Sequence, residues 1–227
     1  MYSNLLRAIA HDLRTPLTAI IGASSAIQEQ KLSAEDQIRL AEGIRKDAEW
    51  LVRVTENLLS VTRVSNHGMI KKEDEVLEEI IGSAIMKYHR LPGSLPVDSD
   101  TLSDIILVPM DAMLIEQVMI NLFDNVNAHA EGASKIWIHL RKENGMVFIS
   151  VEDDGCGITP SLLPQILDGT YMSKHSRNDD RRNMGIGLSV CRSIIEAHGG
   201  RLFAGKSRHG GAAFEFSLPC KENMYVE

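Results

Sequence analysis

Between residues 6 and 61 apolar side chains recur every three or four positions, and beyond residue 68 that rhythm gives way to a mixture of helical and alternating stretches. A chain patterned this way folds as two kinds of structure, helices first and a mixed α/β part after. Leu6, Ile9, Leu13, Leu17 and Ile20 form one helical stripe, with His11 and Thr15 on the opposite face. Leu40, Ile44, Leu51, Val54, Leu58 and Val61 form the stripe of a second helix. A turn at Lys31 and Leu32 separates the two, and Ser33 stands where its hydroxyl caps a helix starting at Ala34, with Asp36 near the positive helix end. Two such helices make an antiparallel hairpin whose stripes need more cover than one pair supplies. A second copy of the chain completes a four-helix bundle.

The helical pattern stops at Ser65, Asn66, His67 and Gly68, which read as a linker and divide the chain into expected domains 1–66 and 67–227. Helices are predicted over Glu73 to Arg90, Asp111 to Ala130 and Gly187 to Ala197. Strands are predicted over Ile105 to Val108, Lys135 to Arg141, Met146 to Glu152, Arg201 to Ala204 and Ala212 to Leu218. The fold class is therefore α+β: a helical hairpin followed by an α/β sandwich with helices on one face of a mixed sheet.

A length of 227 residues suits two domains. The net charge of −7 provides no broad basic field for nucleic-acid phosphates, and 5% aromatic residues offer few stacking platforms, so no nucleic-acid partner is expected. Cys156, Cys191 and Cys220 lack CxxC spacing, which fits a reducing, cytoplasmic setting. No apolar stretch here spans a bilayer, so membrane association is expected only through a region outside this chain.

Three segments carry chemistry. In His11, Asp12, Leu13, Arg14, Thr15, Pro16 and Leu17 an imidazole lies beside a carboxylate on an exposed helical face. Pro16 lacks an amide hydrogen and crowds the carbonyl of Asp12, so a bend is expected just after the histidine. A histidine nucleophile needs one unprotonated ring nitrogen, and Asp12 is suited to take the proton from the other as general base. Asn121 and Asn125, four apart, share a helical face, and their carboxamide oxygens suit a hard cation such as Mg2+; Asn125 is the expected ligand and Asn121 its neighbour. Asp153, Asp154, Gly155, Cys156 and Gly157 end a strand with glycines that let a ligand approach the backbone. Met184, Gly185, Ile186, Gly187 and Leu188 open a helix whose amides favour phosphate oxygens. Each of these motifs is weak alone, as a solvated histidine, a polar helix face or an ordinary turn.

Their order is far more specific, and it resembles the sensor histidine kinases over nearly the whole chain. The run from His11 to Leu17 resembles that family's H-box, the segment from Asn121 to Asn125 its N-box, and the two glycine segments its DxGxG and GxGL motifs. The resemblance implies a dimerisation and phosphotransfer domain followed by a Bergerat-type ATP-binding domain. It further implies autophosphorylation of His11 from ATP with Mg2+, homodimer formation, and transfer to an aspartate of a response-regulator receiver domain. In that family the residues matching Asp12 and Thr15 also support dephosphorylation of the regulator, and the one matching Asp153 accepts from the adenine amino group. Gly155, Gly157, Gly185, Gly187 and Leu188 would line the nucleotide. Glu78 to Ala84 and Val108 to Asp111 most resemble the KdpD-type branch.

Residues 169–183 resemble the family's ATP lid, with Lys174, Arg177 or Arg182 as the cation that would face the γ-phosphate. Two positions depart from the pattern: Ala128 stands where a phosphate-contacting lysine is frequent, and Leu167 to Tyr171 lack the paired phenylalanines of an F-box. Two other readings follow from these departures and from the nucleotide fold: a degenerate ATP-binding or phosphatase module, and a non-kinase ATPase.

Overall fold

The computed structural model describes residues 2–29, 32–65, 70–100, 105–163, 166 and 186–221, with side chains from residue 13 onward except those at 61, 65 and 186. The chain divides into two compact units, Met1–Leu59 and Ser60–Glu227.

The first unit holds α1 (Tyr2–Glu29) and most of α2 (Ala34–Ser65). Pro16 lies inside α1 rather than ending it, and its missing amide removes one hydrogen bond to the carbonyl of Asp12. The Thr18 hydroxyl donates to the Arg14 carbonyl at 2.8 Å within the same stretch. At the start of α2 the cap is reciprocal: Ser33 Oγ accepts from the Asp36 amide at 3.1 Å and donates to Asp36 Oδ2 at 2.7 Å. Trp50 and Val54 are buried, whereas Leu17, Ile21, Ile38, Val52 and Leu59 lie exposed on the single chain.

The second unit contains β1 (Glu73–Val76), α3 (Leu77–Tyr88), β2 (Val97–Ser99), β3 (Leu107–Met110), α4 (Ala112–His129), β4 (Ile136–Glu143) and β5 (Met146–Asp153). After a 3-10 turn at Pro160–Leu162 come α5 (Ile186–Ala197), β6 (Leu202–Lys206) and β7 (Ala212–Pro219). Five strands form one sheet in the order β2-β4-β5-β7-β6, with β2 parallel to β4 and the other pairs antiparallel. β1 and β3 pair separately.

Two elements differ from the sequence-based expectation. Residues Glu73 to Val76 belong to a strand, not to the helix predicted from Glu73, because they pair with Met110 back to Leu107. Glutamate-rich composition favours a helix only locally, and a strand partner overrides it. Val97–Ser99 is too short to produce a readable alternation, yet it aligns beside Ile136–Ile138.

Period-two alternation separates the two faces of the sheet. Ile136, Ile138 and Leu140 of β4, Val147, Ile149 and Val151 of β5, and Phe214, Phe216 and Leu218 of β7 all enter one core. Leu114, Ile115, Val118, Met119, Leu122 and Val126 of α4 belong to the same core. α4 also contacts both α3 and α5, so the helices form one layer. Tyr88, fully buried, ties α3 to α4 by donating to Asn127 Oδ1 at 2.7 Å while accepting from the Leu95 amide at 2.9 Å.

His198, just past α5, joins two helix ends. Its Nδ1 lies 2.7 Å from the Ile194 carbonyl, and its Nε2 lies 3.0 Å from the Asp111 amide that precedes α4. A carbonyl only accepts and an amide only donates, so these partners set the neutral tautomer with the proton on Nδ1. Burial, followed by the charge of Lys72, holds the imidazole below its ordinary value of 6.5, despite the Ile194 carbonyl and Asp111. Below 6.5 the unfolded chain takes up a proton before the folded one does, so the stabilisation due to neutral His198 is full above 6.5 and declines as pH falls from there. We expect His198→Ala to lose about 1–3 kcal/mol at neutral pH by orphaning the Asp111 amide. The gap from wild type should narrow in mildly acidic buffer. Urea unfolding followed by Trp137 fluorescence in a Trp50→Phe background measures both.

Candidate nucleotide site

The alternation that sends Val147, Ile149 and Val151 into the core sends Asp153, two residues further, to the same helix-covered side. Asp153 is 2% exposed, and its Oδ1 accepts from the Gly155 amide at 2.8 Å and the Ala212 amide at 3.2 Å. Burial pushes its carboxyl above the ordinary range even though those two amides pull the other way. The charge is thus oriented by the backbone of its own loop and of β7.

The neighbouring carboxylate does something else. Asp154 accepts from the Ser134 amide at 2.7 Å, the Ser134 hydroxyl at 2.5 Å and the Lys135 amide at 3.3 Å, closing the loop between α4 and β4. Desolvation would raise its carboxyl, but the Ser134 hydroxyl and the amides outweigh that and hold it low.

Close approach explains two glycines. A Cβ on Gly155 would come within 2.9 Å of the Ala130 Cβ at the end of α4. A Cβ on Gly211 would sit 2.0 Å from Asp153 Oδ1 and 2.6 Å from the Gly155 nitrogen. The Gly211 amide also donates to the Asp153 carbonyl at 3.1 Å. Gly157 lies against the Gly211 carbonyl, 3.3 Å from where its own Cβ would be. Gly211 directly precedes the strand predicted over Ala212 to Leu218, and its contact with Asp153 makes it part of the site. The only local signal was its place in a Gly-Gly pair.

α4 brings the two asparagines alongside. Asn121 is buried, its Oδ1 accepts from Gln117 Nε2 at 3.1 Å, and its amide meets the Cys191 thiol of α5. The position of a Cβ on Gly187 lies 4.0 Å from the Asn121 side chain, so the start of α5 faces this part of α4. Asn125, one turn on and half-buried, has no side-chain hydrogen bond among the described residues. A carboxamide oxygen of this kind is a donor suited to a hard cation. Leu188 is buried and anchors α5 in the core.

Among the sequence-predicted residues, the structure sets Asp153 and Gly155 in one loop against the end of α4, lays Gly157 against Gly211, and sets Asn121 opposite Gly187, while Asn125 follows one turn along α4 and Leu188 packs in the core. Thr15 is exposed on α1. His11 and Asp12 lie on the backbone of α1, with their side chains outside the described residues. Gly185, the span from Leu167 to Tyr171, and Lys174, Arg177 and Arg182 also lie outside them.

Comparison with known proteins points the same way. Residues 1–67 match the family described as His Kinase A (phospho-acceptor) domain, and residues 110–222 match the Histidine kinase-, DNA gyrase B-, and HSP90-like ATPase family. The chain is 40% identical over 226 residues to Sensor protein KdpD of Clostridium acetobutylicum, covering 96% of this chain and 24% of that protein. It is 36% identical over 220 residues to the adaptive-response sensory kinase SasA of Prochlorococcus marinus subsp. pastoris, covering 95% of this chain and 58% of that protein. The chain thus spans about a quarter of the one relative and under two thirds of the other. Among solved structures, the Acinetobacter baumannii histidine kinase AdeS is similar with a TM-score of 0.66 at 23% identity, covering 93% of this chain and 98% of that one. ThkA in complex with the response regulator protein TrrA is similar with a TM-score of 0.70 at 24% identity, covering 96% of this chain and 61% of that one. Those two likenesses concern the fold.

The thiols provide a direct check on the site's walls. Cys156 is exposed in the glycine loop, whereas Cys191 is fully buried and burial pushes its thiol up to about 12. Only a thiolate that a reagent reaches is alkylated. A maleimide is expected to modify Cys156 in the native protein and Cys191 only after denaturation, as read by peptide mass spectrometry.

Proposed function

Because this chain belongs to the sensor histidine kinases, with a phospho-acceptor part followed by the family's ATPase part, we propose that it binds ATP with Mg2+ and transfers the γ-phosphoryl group to His11. A response-regulator aspartate then takes the phosphoryl group from the histidine. The observation that carries this reading is the glycine loop that holds buried Asp153, in the same unit as Asn125 of α4 and the start of α5, in a chain that also bears the His11 to Leu17 run.

Asp153 has a buried carboxylate whose Oδ1 is already oriented by two amides, which suits it to accept from the amino group of adenine. Gly155 and Gly157 let the base approach the loop backbone. Gly187 presents its amide at the start of α5 to phosphate oxygens, Gly185 is assigned the same role from its place in the motif, and Asn121 and Leu188 hold α5 in place. Asn125 would hold Mg2+ through its carboxamide oxygen; the ion, when bound, neutralises phosphate charge during transfer. On α1, Asp12 takes the proton from the far nitrogen of His11, so that the near nitrogen attacks phosphorus as the bond to the ADP oxygen breaks. Thr15, exposed one turn on, would assist dephosphorylation of the regulator together with Asp12.

The functional division is placed between residues 66 and 67. A homodimer accounts for Leu17, Ile21, Ile38, Val52 and Leu59, apolar side chains left open on the helices of a single chain. Among the described residues no helix is long and apolar enough to cross a membrane. We assign the chain to the cytoplasmic portion of a longer, membrane-associated sensor of the KdpD type. Ala128, in place of a frequent phosphate-contacting lysine, favours a second reading in which the nucleotide is held but autophosphorylation is weak and phosphatase action dominates.

Incubation with γ-labelled ATP and Mg2+ is expected to give an acid-labile protein label that disappears in His11→Gln and passes to a receiver domain. ATP binding without label, combined with loss of phosphate from a phosphorylated receiver, would select the second reading; ATP turnover indifferent to His11→Gln would overturn both. Asp153→Asn is expected to weaken nucleotide binding about tenfold or more through loss of a charge-assisted hydrogen bond. Gly211→Ala should do likewise, since its Cβ displaces Asp153 Oδ1. Equilibrium binding of a fluorescent ATP analogue reads both variants.

A further inference from the structure

The sheet face turned away from the helices carries a second cluster of chemistry-bearing groups. Trp137 pairs with Glu152 and His139 with Ser150 across β4 and β5, so all four side chains share that face. The turn between β6 and β7 folds over them and stacks the His209 ring on Trp137, with centroids 3.9 Å apart and planes 7° from parallel. His209 Nε2 thereby comes within 3.2 Å of His139 Nε2. One ligand atom each from His139, Glu152 and His209 lies within 4.8 Å of the other two.

The surroundings already resemble a metal site's outer layer. Asp100 Oδ2 lies 2.6 Å from His139 Nδ1, and a hydrogen bond donated by Nδ1 to it leaves the Nε2 lone pair facing His209. Glu152, 4% exposed, has its Oε2 fixed by the Ser207 hydroxyl at 3.0 Å and the Arg208 amide at 2.9 Å. Oε1 has only longer partners, the Ser150 hydroxyl at 3.2 Å and the Arg208 guanidinium at 3.3 Å. Arg208 is 63% exposed, so water competes for its guanidinium. Tetrahedral zinc with bonds of about 2.0–2.1 Å to nitrogen sets two imidazole nitrogens about 3.3–3.4 Å apart, close to the observed spacing.

The geometry points to a divalent transition-metal site, with His139 Nε2, His209 Nε2 and a Glu152 carboxylate oxygen as ligands, Asp100 orienting His139, and water completing the shell. Two imidazoles and one carboxylate suit Zn2+, and the borderline-soft nitrogen donors disfavour Mg2+ and Ca2+. The site stands on these residues alone and is independent of the kinase reading. Bound metal would clamp the turn of residues 207–211 to β4 and β5. That turn ends in Gly211, which backs Asp153 on the opposite face.

The test uses the full chain, stripped with chelator and titrated with Zn2+ against a chromophoric competitor, in a Cys156→Ser background that removes the exposed thiol of the glycine loop. One equivalent is expected to bind with micromolar affinity or better and to change Trp137 fluorescence in a Trp50→Phe version. His139→Ala and His209→Gln should each weaken binding at least about tenfold, as should Asp100→Asn through its orienting role. Circular dichroism on each variant separates lost ligands from lost folding. Co2+ in place of Zn2+ should give visible bands of tetrahedral intensity without thiolate charge transfer. Absence of Zn2+ binding by the starting protein, or binding that survives both histidine substitutions in folded protein, overturns the proposal and leaves the two rings as a hydrogen-bonded stack.

Discussion

The carboxylate that ends β5 is the joint on which the second unit turns. Asp153 sits on the helix-covered side because β5 runs its full length between β4 and β7, and it is held there because a loop amide and a β7 amide converge on the same oxygen. Gly211 must lack a Cβ for that convergence, and Gly155 must lack one for the loop to sit against α4. Burying a carboxylate is unfavourable unless donors surround it, so the strand, the glycine loop and the turn before β7 stand or fall together.

One sheet serves two purposes because its faces are chemically distinct. Isoleucine, valine and phenylalanine fill the helix side up to Asp153, and the adjacent residue, Glu152, turns to the opposite side by the strand's two-residue period. There the carboxylate meets Ser207 and Arg208 of the turn rather than a nucleotide. A single step along β5 thus separates a carboxylate held by the glycine loop from one that lies near two imidazoles. The turn between β6 and β7 touches both, through Gly211 on one side and His209 on the other.

The helical unit follows a simpler physics. Ser33 and Asp36 satisfy each other and the first free amides of α2, so the helix starts where its cap stands. Its exposed apolar residues, from Leu17 to Leu59, lack cover within one chain, which is the ordinary condition of half a helical bundle. The matching families follow the same order, phospho-acceptor part first and ATPase part second.

Local rules made much of this legible before any coordinates. The Ser33 cap, the span of α4 and the alternation of β4, β5 and β7 depend on residues two to four positions apart, where spacing alone decides which side chains share a face, whereas the role expected of Asp153 came from the family resemblance. What remained hidden depends on partners far along the chain. Glu73 to Val76 become a strand because Leu107–Met110 lies beside them, and Asp154 closes a loop on Ser134 twenty residues away. Glu152 faces Ser207 across a separation of 55 residues, and His139 faces His209 across 70. Sequence by itself determined the order of the motifs and the period of each element, because those are properties of the local backbone. Tertiary structure alone decided which glycine backs Asp153 and which histidines meet, because strand order and register, not spacing, bring distant residues onto one face.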